Sequence, residues 1–242
     1  MSEPNQITVQ ARGIEFGALQ WGDPDGPLAL LVHGYPDTAW TWRHLGPELA
    51  DDGRHVVAPF TRGYAPTGLA PNDDYRVAEQ ARDILALHEA LGGGDDAALV
   101  GHDWGAVATW AVTASEPERF SKYVAMSVPP PAAILAPLKS VRTLPIAVRQ
   151  LRMSWYFLFN QLPGSERALD WLIPKLWEDW SPGYDAGEDL PRVFEALDGP
   201  GRRRAALRYY RNTLTTGLGE LASILPDAPV LYLHGAADGG AV

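Results

Sequence analysis

Apolar and polar positions alternate over residues 7–21, on either side of Gly13. A period of two belongs to half-buried strands, so this stretch predicts a β-hairpin. Leu28-Ala29-Leu30-Leu31-Val32 then runs apolar without a break, and Val56-Val57-Ala58 repeats the type more weakly. Such runs predict strands covered on both faces. Over residues 75–91 the period becomes helical: Val77, Ala81, Ile84, His88 and Leu91 fall at spacings of four and three along one face. Gly92-Gly93-Gly94 stops that helix. Residues 97–100 form the next expected strand, a turn at residues 101–105 leads into a helix to about Ser115, and residues 122–128 form another strand. Strands alternating with helices predict a mostly parallel α/β sheet.

At Pro129-Pro130-Pro131 the pattern breaks. Up to about Gly217 there is no good strand candidate, only aromatic-rich helical segments over residues 155–159, 171–180 and 205–214. These predict a helical insertion over the sheet. A strand resumes at Val230-Leu231-Tyr232-Leu233. The division expected is a core of residues 1–128 and 218–242 with a helical cap of residues 129–217.

Composition narrows the partners. The 242 residues are 46% hydrophobic and 21% charged, ordinary for a soluble globular protein, and carry a formal net charge of -10. That charge disfavours nucleic acid and an anionic membrane surface as partners. No cysteine is present, which excludes disulfides, thiolate metal sites and a cysteine nucleophile. The first residues lack a basic start followed by an apolar run, and no apolar stretch approaches the roughly 20 residues of a membrane span, so a cytoplasmic location is expected. No ligand cluster or phosphate-cradling glycine loop calls for a metal or nucleotide, and no cofactor is expected.

Gly101-His102-Asp103-Trp104-Gly105 carries the chemistry. Between a strand and a helix, G-x-nucleophile-x-G makes a tight turn that holds one side chain out at the carboxyl end of the sheet. The central residue is Asp103, so acyl transfer by a serine is not available there. A carboxylate instead displaces a leaving group from saturated carbon and forms an alkyl ester that water later cleaves. The competing reading of Asp103 is an ordinary helix N-cap. His33-Gly34-Tyr35-Pro36-Asp37 follows the first buried strand; there the Tyr35 and Trp104 amides are placed to form an oxyanion hole. Its plainer reading is a strand-ending turn.

Taken in order, His33-Gly34-Tyr35-Pro36, Arg62-Gly63-Tyr64 and the Asp103 motif resemble the soluble epoxide hydrolase branch of the α/β-hydrolases. The likeness extends from the first hairpin to Asp238. Ala65-Pro66-Thr67-Gly68 departs from it, where a glycine-serine sequence is more usual. The resemblance implies opening of a small, neutral, apolar epoxide through an ester on Asp103, without cofactor, by a monomer or homodimer. It implies that two cap tyrosines act as acids: Tyr156, in an aromatic segment before Pro163-Gly164, and one from Tyr209-Tyr210-Arg211-Asn212. Helix geometry selects Tyr210, which shares a face with Leu207 and Leu214 while Tyr209 points about 100° away. It also implies Asp238 as the acid that orients a base histidine, and His33, Pro36 and Trp104 as substrate-binding.

The base histidine is expected on a loop after one further strand, some tens of residues past the acid. Only Gly239-Gly240-Ala241-Val242 follow. His33 and His102 read as members of the two turns, His88 as a packed, hydrogen-bonded histidine of a core face, and His44 and His55 have no motif. His234 adjoins the acid, but the resemblance assigns it no role. The expectation is therefore a sheet lacking its last strand and helix, with an exposed edge, and ester hydrolysis impaired for want of a base. Two alternatives stand. A haloalkane dehalogenase would hold halide on the Trp104 indole and a second donor; Tyr35 is not the asparagine that serves there, which leaves Trp171, Trp177 or Trp180. A catalytically silent binding protein would keep the pocket without the base.

Overall fold

The computed structural model describes residues 2–135 and 142–240. The hairpin is present as β1 (Asn5–Ala11) and β2 (Ile14–Trp21), antiparallel and joined at Arg12 and Gly13. β3 (Leu28–Val32) and β4 (His55–Pro59) are buried at every position, so neither has a polar side to show in its sequence. With β5 (Ala98–His102), β6 (Lys122–Met126) and β7 (Val230–Leu233) they form, among the described residues, a seven-stranded sheet in the order β1-β2-β4-β3-β5-β6-β7. β1 and β2 pair antiparallel with their neighbours, and every pair from β4 to β7 is parallel. Among the described residues β1 and β7 are the two edges, and on β7 Leu231 and Leu233 are exposed.

Three helices make the crossovers: α1 (Leu45–Asp51), α2 (Val77–Ala90) and α3 (Trp104–Ser115). From β3 the chain pairs first to one side as β4 and then crosses to the other side as β5. Loops leaving β3 and β5 therefore diverge, and a crevice opens at the carboxyl ends of these two strands. The two turns singled out in the sequence both end there.

On α2 the expected apolar face is buried, but so are Glu79 and Asp83, which the helical period places outside. The cause is Arg62, only 2% exposed. Its Nε and Nη2 donate to the two Asp83 oxygens at 2.5 and 2.6 Å, and Nη1 donates to the Asp74 carbonyl. Arg12 adds a second cation, 2.7 Å from both Glu79 Oε2 and Asp83 Oδ1. Removing one member of a buried pair leaves an uncompensated charge, which costs about 3–5 kcal/mol. Arg62→Ala is expected to lose stability on that scale in urea unfolding, and Arg62→Lys to recover little, because an ammonium cannot make the two-pronged bond.

Between β6 and β7 the described elements are helical, and no strand occurs among them, as the sequence indicates. They are α4 (Pro131–Leu135), α5 (Leu144–Met153), α6 (Trp155–Phe159), α7 (Leu169–Trp180), α8 (Asp189–Ala196), α9 (Arg202–Asn212) and α10 (Leu218–Ser223). Sequence reading found α6, α7 and α9 and missed α1, α5 and α8. α1 carries Gly46-Pro47 and α8 carries Pro191, which weaken the local signal, while α5 buries little beyond Ala147 and so shows no core face. No helix among the described residues is long and apolar enough to cross a membrane.

Candidate active site

β5 ends at His102 and α3 begins at Trp104, so residue 103 alone turns the chain. Asp103 has φ 53° and ψ -116°, a conformation that costs a non-glycine residue about 1–3 kcal/mol. The sharp bend presses α3 onto β3: a Cβ on Gly105 would stand 2.1 Å from the Val32 carbonyl oxygen. Asp103 makes no side-chain cap bond to α3, so the N-cap reading does not describe it. Its Oδ1 accepts the Tyr35 N–H at 2.7 Å, and the Trp104 N–H is turned to the same carboxylate. Gly34 permits this approach, since a Cβ there would fall 2.3 Å from Asp103 Oδ1.

Burial pushes the Asp103 carboxyl up to about 7, against the pull of the Tyr35 and Trp104 amides, and the charges of Asp37 and Asp238 push the same way. Asp37 is likewise raised to about 7 by burial, although it accepts the Thr38 N–H at 2.7 Å. His33 goes the other way, down to about 4, because burial disfavours its cation. Its Nε2 accepts the Thr61 N–H at 3.0 Å, which leaves the proton on Nδ1, 2.8 Å from the Gly34 carbonyl.

A cavity of about 310 Å³ lies over Asp103. Of the residues expected at the site, Tyr35, Pro36, Asp103, Tyr156 and Asp238 all line it. Asp238 sits in the turn after β7, its Oδ1 accepting the Gly240 N–H at 2.7 Å. Three expected residues are elsewhere. His33 is 1% exposed and braces the turn beneath. Trp104 lies behind the wall, edge-on to Tyr210 at 5.2 Å. Tyr210 is 1% exposed and packs edge-on against Tyr35 and Tyr156 at 4.9 and 5.6 Å; its hydroxyl has no partner among the described residues. The neighbouring Tyr209 is spoken for, donating to the Arg62 carbonyl at 2.8 Å. The tyrosine chosen by helix geometry is thus the one whose ring meets Tyr35 and Tyr156.

Of the three cap tryptophans named from the sequence, two are in the wall, while Arg43, Tyr184 and Asp189 of the same wall were not foreseen. Trp177 and Trp180 line it, while Trp171 is exposed on the surface beside Trp155 and Phe159. Trp177 Nε1 is tied to the Pro36 carbonyl at 2.9 Å. Arg43, from the 3-10 turn Ala39–Arg43, reaches across to α8 and pairs with Asp189 at 2.6 Å, and Tyr184 donates to the same carboxylate at 2.6 Å. The Trp177–Pro36 and Arg43–Asp189 contacts join segments more than 140 residues apart, and no local period encodes them. Among the histidines, His102 and His44 line the cavity. His234 is exposed and bonded to Tyr232 at 2.9 Å, His55 contacts Gln20, and His88 packs edge-on against Phe120 as expected, but neither of its ring nitrogens has the expected hydrogen-bond partner among the described residues. No group of three or more metal-ligating side chains occurs among the described residues.

The profile of the alpha/beta hydrolase fold family matches residues 27–241. Among curated relatives, epoxide hydrolase A of Mycobacterium tuberculosis is 32% identical over 213 residues, 86% of this chain and 60% of the relative. The AB hydrolase superfamily protein YfhM of Bacillus subtilis is 31% identical over 225 residues, 89% of this chain and 75% of the relative. Among solved structures, epoxide hydrolase A from Mycobacterium thermoresistibile superposes with a TM-score of 0.73 at 26% identity, covering 97% of this chain and 83% of that one. The chain thus spans three fifths of the length of the first of these relatives.

Proposed function

The chain belongs to the alpha/beta hydrolase fold family, and on that premise we propose that it opens epoxides by nucleophilic attack of Asp103. The observation that carries the reading is the Asp103 carboxylate itself, held at a strained turn with Oδ1 on the Tyr35 N–H and facing a cavity that Tyr156 also lines. Because Oδ1 is occupied by the amide, Oδ2 is the attacking atom. It forms a bond to a ring carbon, the carbon–oxygen bond of the ring breaks, and the released oxygen takes a proton from a phenol. Tyr156 supplies it from the wall. Burial keeps both cap phenols protonated far above neutral pH. The hydroxyl of Tyr210, buried without a partner, gains one when an epoxide oxygen arrives. Water then attacks the ester carbon, and the negative charge develops on Oδ1, where the Tyr35 and Trp104 amides already lie.

The helical residues 129–217 act as a cap over the core of residues 1–128 and 218–242 in this reading. Tyr156, Trp177 and Trp180 give the cavity an aromatic wall suited to a small, neutral, apolar substrate. Asp238, in electrostatic contact with Asp103 and His102, is the acid member. A dehalogenase needs free donors for halide. The Trp177 N–H is on the Pro36 carbonyl and Trp104 does not line the cavity, which leaves Trp180 as the indole there and favours the epoxide.

Incubation with an aryl-substituted epoxide is expected to add one epoxide mass to the intact chain, mapped to Asp103 by peptide sequencing, and a chloroalkane is expected to release no halide. Attack requires the carboxylate, so the labelling rate should rise with pH through about 7 and then level. Label on another residue, or a rate flat from pH 5 to 9, would remove Asp103 from the role.

A further inference from the structure

Asn160 ends α6, the helix that carries Tyr156, and accounts for the largest unmet polar demand near the site. Its N–H donates to the Tyr156 carbonyl at 2.8 Å, and its own carbonyl accepts Arg211 Nε of α9 at 2.9 Å, one residue beyond Tyr210. The backbone at 160 therefore ties together the two helices that present the cap phenols. The side chain is fully buried, and both Oδ1 and Nδ2 are without a hydrogen-bond partner among the described residues. A buried carboxamide left unpaired is costly, because it has given up water for nothing.

The group beside it has the same deficit. Tyr35 is 3% exposed, and its hydroxyl is also unpartnered. The Asn160 carboxamide stands next to that hydroxyl, where it opposes the rise in the phenol's pKa caused by burial. A carboxamide donates and accepts, as does a phenol, so small rotations of the two groups complete a bond between them. The Tyr35 ring is otherwise held only by apolar contact, edge-on to Tyr210. Its backbone N–H is the one that sits 2.7 Å from Asp103 Oδ1.

We propose that Asn160 is a positioning residue: its carboxamide clasps the Tyr35 hydroxyl and so fixes the Tyr35 N–H on the nucleophile. This rests on the reading of Asp103 as the attacking group, but the clasp has a consequence independent of any substrate. An N–H held firmly on Oδ1 favours the charged carboxylate, so loosening it raises the Asp103 pKa.

The test uses the 242-residue chain with Asn160→Leu, which keeps the volume and removes both polar atoms, Tyr35→Phe, which removes one oxygen, and the double variant. The Asp103 carboxyl is titrated by 13C NMR, and labelling by an aryl epoxide is timed at saturating concentration. Each single variant should move the Asp103 midpoint up by about half a unit and slow labelling about tenfold at pH 7, with half-saturating epoxide unchanged. The double variant should be no worse than either single one, since both cut the same bond. Additive effects, or an unmoved midpoint in both singles, overturn the clasp. A wild-type chain that takes no label, while the midpoint still shifts as stated, would keep the clasp and reject the nucleophile. If Asn160→Leu fails to fold, Tyr35→Phe alone decides, because it leaves the ring and all its packing in place.

Discussion

Asp103→Asn is expected to abolish covalent labelling and to slow epoxide opening by at least about three orders of magnitude. The carboxamide keeps the shape and can still meet the Tyr35 N–H through its oxygen, so the turn and the cavity survive. What disappears is the carboxylate lone pair that attacks saturated carbon. The same variant carries a second signature, in stability. Asp103 has a folded-state pKa raised to about 7, well above the value of an unfolded aspartate. Between those two values the folded chain binds more protons than the unfolded one, so stability falls as pH rises through the window. Asparagine has no such dependence. The variant should therefore melt higher than the wild type at pH 8, with the gap closing toward pH 4. Residual labelling at wild-type speed would assign the chemistry to another residue, and Asp37 would be examined next, because its carboxyl also lines the cavity and is raised to about 7.

The 242-residue polypeptide by itself is expected to give a burst: one equivalent of epoxide consumed and held as ester, followed by release at least about two orders of magnitude slower. A general base for water contributes about 10²–10⁴-fold. Two histidines line the cavity. His44 is exposed at its wall, and His102 belongs to the nucleophile turn, where burial lowers its pKa against the opposing pull of the Asp238 charge. The His102 Nδ1 has no hydrogen-bond partner among the described residues, so no bond at that nitrogen sets the tautomer that a base of this kind requires. Quenched-flow product counting with parallel intact-mass measurement checks the expectation. Steady turnover at the burst rate would place an effective base within these residues, and His102→Gln would then have to remove it.

Much of this architecture was legible in the chain. β3 and β4 were visible because strands buried on both faces must be apolar throughout, and α2 because one face meets the sheet. The turn at Asp103 was legible for a steric reason: so sharp a bend needs glycine two residues to either side, where a Cβ would stand 2.2 Å from the Gly105 carbonyl oxygen at 101 and 2.1 Å from that of Val32 at 105. Glu79 and Asp83 were misplaced by the period, because a pattern of apolar positions cannot report a buried arginine that arrives from another loop. Tyr210, preferred to Tyr209 as the second acid, packs its ring against Tyr35 and Tyr156 yet does not line the cavity, since the angular position of a side chain on a helix says nothing of what lies in front of it.

Covalent geometry and burial act along the chain, and so the sequence alone determined the alternation of strands and core helices and the tight turn that carries Asp103. Distances between remote segments are set by packing, which has no local signature. The fold therefore decided which phenol faces the cavity, that Arg43 and Asp189 close one wall, that the indole of Trp177 is committed to Pro36, and that a buried asparagine stands against the hydroxyl of Tyr35.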